Sequence, residues 1–188
     1  MLSSSAVHTL VCCLIAADAD AETLRWGQPA TLLLIHDRRV HTAGSIREVR
    51  SVEFPLHRDD LLTEPAGLPA LLHRLAAGLD NPTASTPYLA TLTTIIGLIR
   101  ATEPDARLVA WAACYDDILT IDGQPRQGRR IDAVDTDGRV YQLTHVRGED
   151  QPLLLVDTGD VPATYPGLAA LLAVTARHTH PGPGEGAA

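Results

Sequence analysis

The chain opens with an apolar stretch in which Val7, Leu10, Val11 and Leu14 recur at helical spacing, so a helix is expected over residues 5–17 with the preceding serines as its cap. Asp18-Ala19-Asp20 then reads as the entry to a loop holding Trp26, Gly27 and Pro29. Thr31 to Ile35 is a short apolar run suited to a buried strand, with Asp37 to Val40 as a turn and Val40 onward as the partner strand. That register sets His36 opposite His41. Strand-like alternation continues over residues 46–54, where Ile46, Val49 or Val52, and Phe54 compete for the inward face and Gly44 fits a bulge.

Leu68, Leu71, Leu72, Leu75 and Leu79 return to helical spacing and end at the stop signal Asp80-Asn81-Pro82. A second helix opens at Thr86 and Pro87 and carries Leu89, Leu92, Ile95, Ile96 and Ile99 on one stripe. Residues 107–121 are the strongest strand candidate. Leu108, Ala110, Ala112 and Cys114 alternate with Val109, Trp111, Ala113 and Tyr115, so both faces are apolar and the strand belongs in the middle of a sheet. Residues 130–135 and 139–146 flank Thr136-Asp137-Gly138, a three-residue hairpin loop with Gly138 in the left-handed position, which puts Ile131 and Ala133 on the face of Tyr141 and Leu143. Leu153 to Val156 adds a last strand, and Leu168, Leu171 and Leu172 a last helix.

The expected fold is therefore α+β, a mainly antiparallel sheet of about five to six strands covered by about three to four helices in one domain over residues 1–178, with a Pro/Gly-rich tail at 179–188. The element order is similar to that of roadblock-type and profilin-like domains with a helix added, a likeness of topology that carries no function. Ala66-Gly67-Leu68-Pro69-Ala70-Leu71-Leu72 is echoed by Pro166-Gly167-Leu168-Ala169-Ala170-Leu171-Leu172, as two Leu/Ala-rich helices opened by the same turn would be.

Composition removes several chemistries. A chain of 188 residues is one ordinary domain, and a hydrophobic fraction of 45% with 20% charged residues is that of a globular protein. Its 15 basic residues are all arginine. Without lysine there is no Schiff-base chemistry and no P-loop or kinase-type phosphate lysine. The net charge of −8 opposes general binding to nucleic acid. A DNA-associated role would need Arg38, Arg39, Arg126, Arg129 and Arg130 to form one basic hairpin edge. Cys12, Cys13 and Cys114 suggest no disulfide framework, which fits a reducing, cytoplasmic setting. The stretch from Ala6 to Ala17 resembles a signal peptide but lacks a basic leading segment, so it is expected to be a core helix and no membrane span is expected.

Four constellations bear on chemistry. Leu153 to Gly159 resembles the Asp-Thr-Gly signature of aspartic proteases, but Asp160 stands where that family prefers a small residue and too little chain follows to complete a catalytic lobe. Asp132, Asp135, Asp137 and Gly138 suggest a calcium loop, yet the register that sets Gly138 at its sixth position puts Ala133 and Thr144 at the terminal ligands, so a hairpin turn is expected. His36, His41 and His57, with Asp59 and Asp60, are the weak candidates for a metal, and His178-Thr179-His180 is weaker still. Asp116 and Asp117 fall on opposite faces of a buried strand and need partners, for which Arg129 and Arg130 are the candidates.

No cofactor motif and no catalytic motif is present. The expectation is a non-catalytic regulatory or protein-interaction protein that binds a protein partner or itself as a homodimer, because its helices carry more apolar surface than one sheet covers. The alternative is a small enzyme or ligand-binding module around Tyr115, Asp116, Asp117, Arg129 and Arg130.

Overall fold

A computed structural model describes residues 1–24, 26–39, 47–62, 64, 67–81, 87–102, 105–157 and 161–179. The elements are α1 (Ser4–Thr23), β1 (Thr31–Arg39), β2 (Arg47–Pro55), α2 (Arg58–Leu62), α3 (Gly67–Asp80), α4 (Pro87–Thr102), β3 (Arg107–Ile121), β4 (Gln124–Asp135), β5 (Val140–Val146), β6 (Leu153–Val156) and α5 (Tyr165–Thr179). The strands form one antiparallel six-stranded sheet in the order β2-β1-β3-β4-β5-β6. The fold is the expected α+β domain with five helices.

Period-two alternation splits the core between the two faces of the sheet. On one face Leu32, Leu34, Phe54, Trp111, Ala113 and Val134 meet Leu71, Leu72 and Leu75 of α3, Leu89 and Leu92 of α4, and Leu168 and Leu171 of α5. On the other, Leu33, Ile35, Ala112, Ile131, Ala133, Tyr141 and Leu143 meet Leu10 and Leu14 of α1. β3, the strand apolar on both faces, lies third in the sheet. Each leucine so enclosed contributes about 1.5–3 kcal/mol through removal of its surface from water. In the hairpin between β4 and β5, Ile131 faces Leu143, Ala133 faces Tyr141, and Gly138 is left-handed at φ 82°, as its sequence indicates.

Helix α1 starts where Ser3 accepts the Ala6 N–H at 3.2 Å, and it runs six residues past the expected end at Ala17. The alanines at 16, 17, 19 and 21 favour helix, and Asp18 is buried on an ion pair rather than exposed in a loop. By length and composition α1 is apolar enough to cross a membrane. Here it lies along the sheet; its outward residues Ser5, His8, Cys12, Ile15, Ala16 and Ala19 carry no carboxylate or arginine, and the exposed acids Asp20 and Glu22 stand in its last turn.

The expected turn at Asp37 to Val40 is corrected. β1 continues to Arg39 and pairs with Arg47 onward, because Arg38 meets Glu48 at 3.2 Å and Arg47 chelates Asp37 across the ladder. His36 consequently faces Arg50, not His41, which lies outside the described residues, as do Gly44, Ile46 and Thr86. Val52 and Phe54 turn to the three-helix face and Val49 to the α1 face.

The echo between residues 66–72 and 166–172 hides two different uses of glycine. Gly67 is left-handed at φ 69°, whereas Gly167 sits within α5 where that helix crosses α3. A Cβ there would lie 2.5 Å from the Leu72 Cβ and 3.2 Å from the Pro69 carbonyl oxygen. Gly167→Ala is therefore expected to destabilise the fold by about 1–2 kcal/mol in a urea titration, overpacking outweighing the gain in helix propensity.

Candidate functional site

Two polar clusters hang from β4, one on each face of the sheet. The first is built on Arg129, which is buried on the α1 face. Its Nη1 donates to the Glu22 carboxylate at 3.1 Å and to the Asp18 carboxylate at 3.4 Å, and its Nε lies 3.8 Å from Asp116. Trp26 stacks on the guanidinium, 4.5 Å from its carbon to the ring centre. Asp18 is also 2.7 Å from Nδ1 of His145, whose Nε2 is 2.9 Å from the Glu149 carbonyl. Both ring nitrogens thus face acceptors, and only the doubly protonated imidazolium donates to both. Burial works against that charge, but the Glu149 carbonyl and Asp18 outweigh it and raise the His145 pKa above its ordinary value.

The second cluster is built on Asp132, fully buried on the three-helix face. It accepts from the Tyr115 hydroxyl at 2.6 Å, from the Thr164 hydroxyl at 2.7 Å and from Arg130 at 3.4 Å. Arg130 also lies 3.8 Å from Asp117. Burial, reinforced by the Asp132 carboxylate, pushes the Tyr115 phenol far above its usual range, so it remains a donor.

The five residues Tyr115, Asp116, Asp117, Arg129 and Arg130 are thereby divided. Asp116 and Arg129 belong to the α1 side, and Tyr115, Asp117 and Arg130 to the other. Each aspartate has the arginine that its buried strand calls for, through the register that sets Asp116 directly opposite Arg129.

A cavity of about 300 Å³ opens where β3 runs beyond the end of β1, which pairs only as far as Cys114. Its walls include Ala17, Ala21, Leu24, Pro29, Leu33 and Cys114, and the charged groups among its described lining residues are Asp20, Glu53, Asp116 and Arg129. Burial pushes the Cys114 thiol up to about 12, so it is a neutral wall residue. The segment from Gly27 to Pro29 forms a strap, held where the Gly27 N–H donates to Asp116. A second hollow of about 280 Å³ lies beyond it, against Arg58, Leu61 and Leu68.

No family model, curated protein or solved structure matches this chain. Function therefore rests on the geometry alone.

The other candidate constellations do not assemble. His57 and Asp59 form an exposed pair 3.6 Å apart, and among the described residues no three histidines, cysteines or acids group as metal ligands. Asp135 caps its own turn by accepting from the Asp137 and Arg139 N–H groups, the hairpin role rather than a calcium ligand's. Asp157 ends β6 at φ 52° and accepts from the Val140 N–H at 3.2 Å; Thr158 to Asp160 lie outside the described residues. Among the described residues Arg38, Arg39, Arg126, Arg129 and Arg130 form no continuous patch, since Arg129 is buried while Arg38 pairs with Glu48 and Arg126 with Glu149.

Four residues of these clusters escape a motif search: Asp18, Glu22, His145 and Thr164. Asp18 continues the spacing of Leu10 and Leu14, and His145 continues the alternation of Tyr141 and Leu143. A polar residue in step with an apolar stripe is the signal of a buried partner. Thr164 has no such signal.

The two edges of the sheet also differ. β2 presents Arg47, Glu48, Arg50 and Glu53, whereas β6 is Leu153-Leu154-Leu155-Val156. Leu154 packs toward α1, but Leu153 is 61% and Leu155 42% exposed on the opposite face.

Proposed function

We propose that this chain is a non-catalytic interaction protein that self-associates by pairing β6 with β6 of a second copy. The observation that supports this reading is the uncharged apolar edge. Free sheet edges offer unpaired backbone donors and acceptors, and charges on an edge are a common protection against pairing; β2 has them and β6 does not. A two-fold axis through Leu154 sets Leu154 against Leu154 and Leu153 against Leu155, so every facing pair is apolar and the closed two-copy assembly leaves no further β6 edge. The arrangement joins the two sheets into one, with the exposed Leu153 and Leu155 side chains packing on each other.

Light scattering on a size-exclusion column, over a range of concentrations, tests it. The wild-type chain is expected to run as a dimer, and Leu155→Lys, which adds an edge charge at an exposed position, as a folded monomer whose unfolding no longer depends on protein concentration. Ile15→Glu on the outer face of α1 should leave the dimer intact. A wild-type monomer at every concentration, or dissociation by Ile15→Glu and not by Leu155→Lys, overturns the reading.

A further inference from the structure

We infer that the cavity between the end of α1 and the strap is a binding site for a small organic cation, a primary ammonium carried on a short hydrocarbon body. This is independent of the β6 edge. The size, about 300 Å³, is at the lower end of ligand pockets, and the side walls are the mixture such pockets need, hydrocarbon from Ala17, Ala21, Leu24, Pro29 and Leu33 with a few polar groups at defined places.

Charge selects the class. Among the described residues that line the cavity Arg129 is the one cation, and Asp18, Glu22 and Asp116 already surround it. Asp20 and Glu53 also line the cavity and have no ion pair with any described residue. An anion would enter a site where acids outnumber the guanidinium.

A separate source of negative potential points the same way. α1 ends at the cavity, its last turn carries no basic residue, and Asp20 and Glu22 stand there instead. The carbonyl end of a helix is its negative pole and is normally matched by lysine, arginine or histidine. Here the acids add to the pole. Arg129 already donates to the Asp18 carbonyl and the Glu22 carboxylate of this helix end, so an ammonium group seated between Asp20 and Glu53 answers the carboxylates that the guanidinium leaves unpaired, while its hydrocarbon body lies on Leu33 and Pro29. A bare metal ion does not fit, because no three ligating side chains converge among the described residues and most of the wall offers no donor.

Isothermal titration calorimetry with pentylammonium, pentanol and pentanoate separates charge from shape. Pentylammonium is expected to bind, pentanol more weakly, and pentanoate not at all. The double variant Asp20→Asn/Glu53→Gln replaces two exposed carboxylates by isosteres at positions outside both buried clusters, and it should weaken pentylammonium by about tenfold, as the loss of two partly solvated ion pairs implies. Circular dichroism and a urea titration confirm that the variant remains folded. The inference fails if pentanoate or pentanol binds as tightly as pentylammonium, if the double variant binds pentylammonium unchanged, or if pentylammonium gives no heat and no shift in melting temperature. Because the β6 dimer is read by light scattering, either result leaves the other distinguishable.

Discussion

Asp18→Ala is expected to lower the unfolding free energy by about 3 kcal/mol in a urea titration near neutral pH, the loss typical of a buried ion pair deprived of one partner. The alanine leaves Arg129 and His145 enclosed on the α1 face with Glu22 and Asp116 as their remaining charges, and neither of these reaches His145 by a hydrogen bond. Glu22→Ala provides the contrast. Its carboxylate is 44% exposed, so the same charge deletion on the same arginine should cost less than about 1 kcal/mol. Equal losses from the two substitutions contradict the assignment of Asp18 as the centre of the cluster.

The same cluster sets a pH dependence. His145 binds its proton more tightly in the folded chain than in the unfolded one, with Asp18, Glu22, Arg129 and Trp26 around it. Its contribution to stability is thus fully present below the ordinary histidine value and is lost as pH rises through the raised folded value. The wild-type chain should lose stability through this group as pH rises past the ordinary histidine value, and Asp18→Asn, which keeps an oxygen but removes the charge, should reduce the slope. A slope unchanged by Asp18→Asn places the titration elsewhere.

The second large effect is expected at Asp132. Its carboxylate is fully buried and accepts from Tyr115, Thr164 and Arg130, so it ties β4 to β3 and to the turn that leads into α5. Asp132→Ala leaves two hydroxyls and a guanidinium without their acceptor and should cost about 3 kcal/mol. Tyr115→Phe removes one donor only and should cost about 1 kcal/mol. The ordering Asp132→Ala, then Tyr115→Phe, is the test by thermal or urea unfolding; a reversed ordering puts the weight on the aromatic ring and not on the carboxylate.

The fold was largely readable because hydrophobic periodicity reports burial directly. β3 announces itself by being apolar on both faces, α3 by its leucine stripe and the hairpin from β4 to β5 by Gly138. Two elements were hidden for local reasons. The first half of β4 contains Pro125 and a run of polar residues, so it does not alternate, and the better signal was Asp122-Gly123, both with positive φ, which joins β3 to β4 in a tight turn. α2 is only five residues long, too short for a stripe. The polar clusters were half readable. That Asp116 and Asp117 need Arg129 and Arg130 follows from alternation and cost of burial. That Arg129 also holds Asp18 does not, since the two are 111 residues apart and only the completed sheet brings them together.

That separation has a consequence for the order in which the chain leaves the ribosome. α1 is made before the strands whose face it covers, and Asp18 meets His145 only 127 residues later. At ordinary rates of synthesis this is a wait of roughly ten seconds. Until β5 follows, the most membrane-like helix among the described residues lacks Tyr141, Leu143 and His145 from the surface on which it will rest, so a nascent chain stalled before β5 presents chaperones and targeting factors with an incompletely shielded apolar helix.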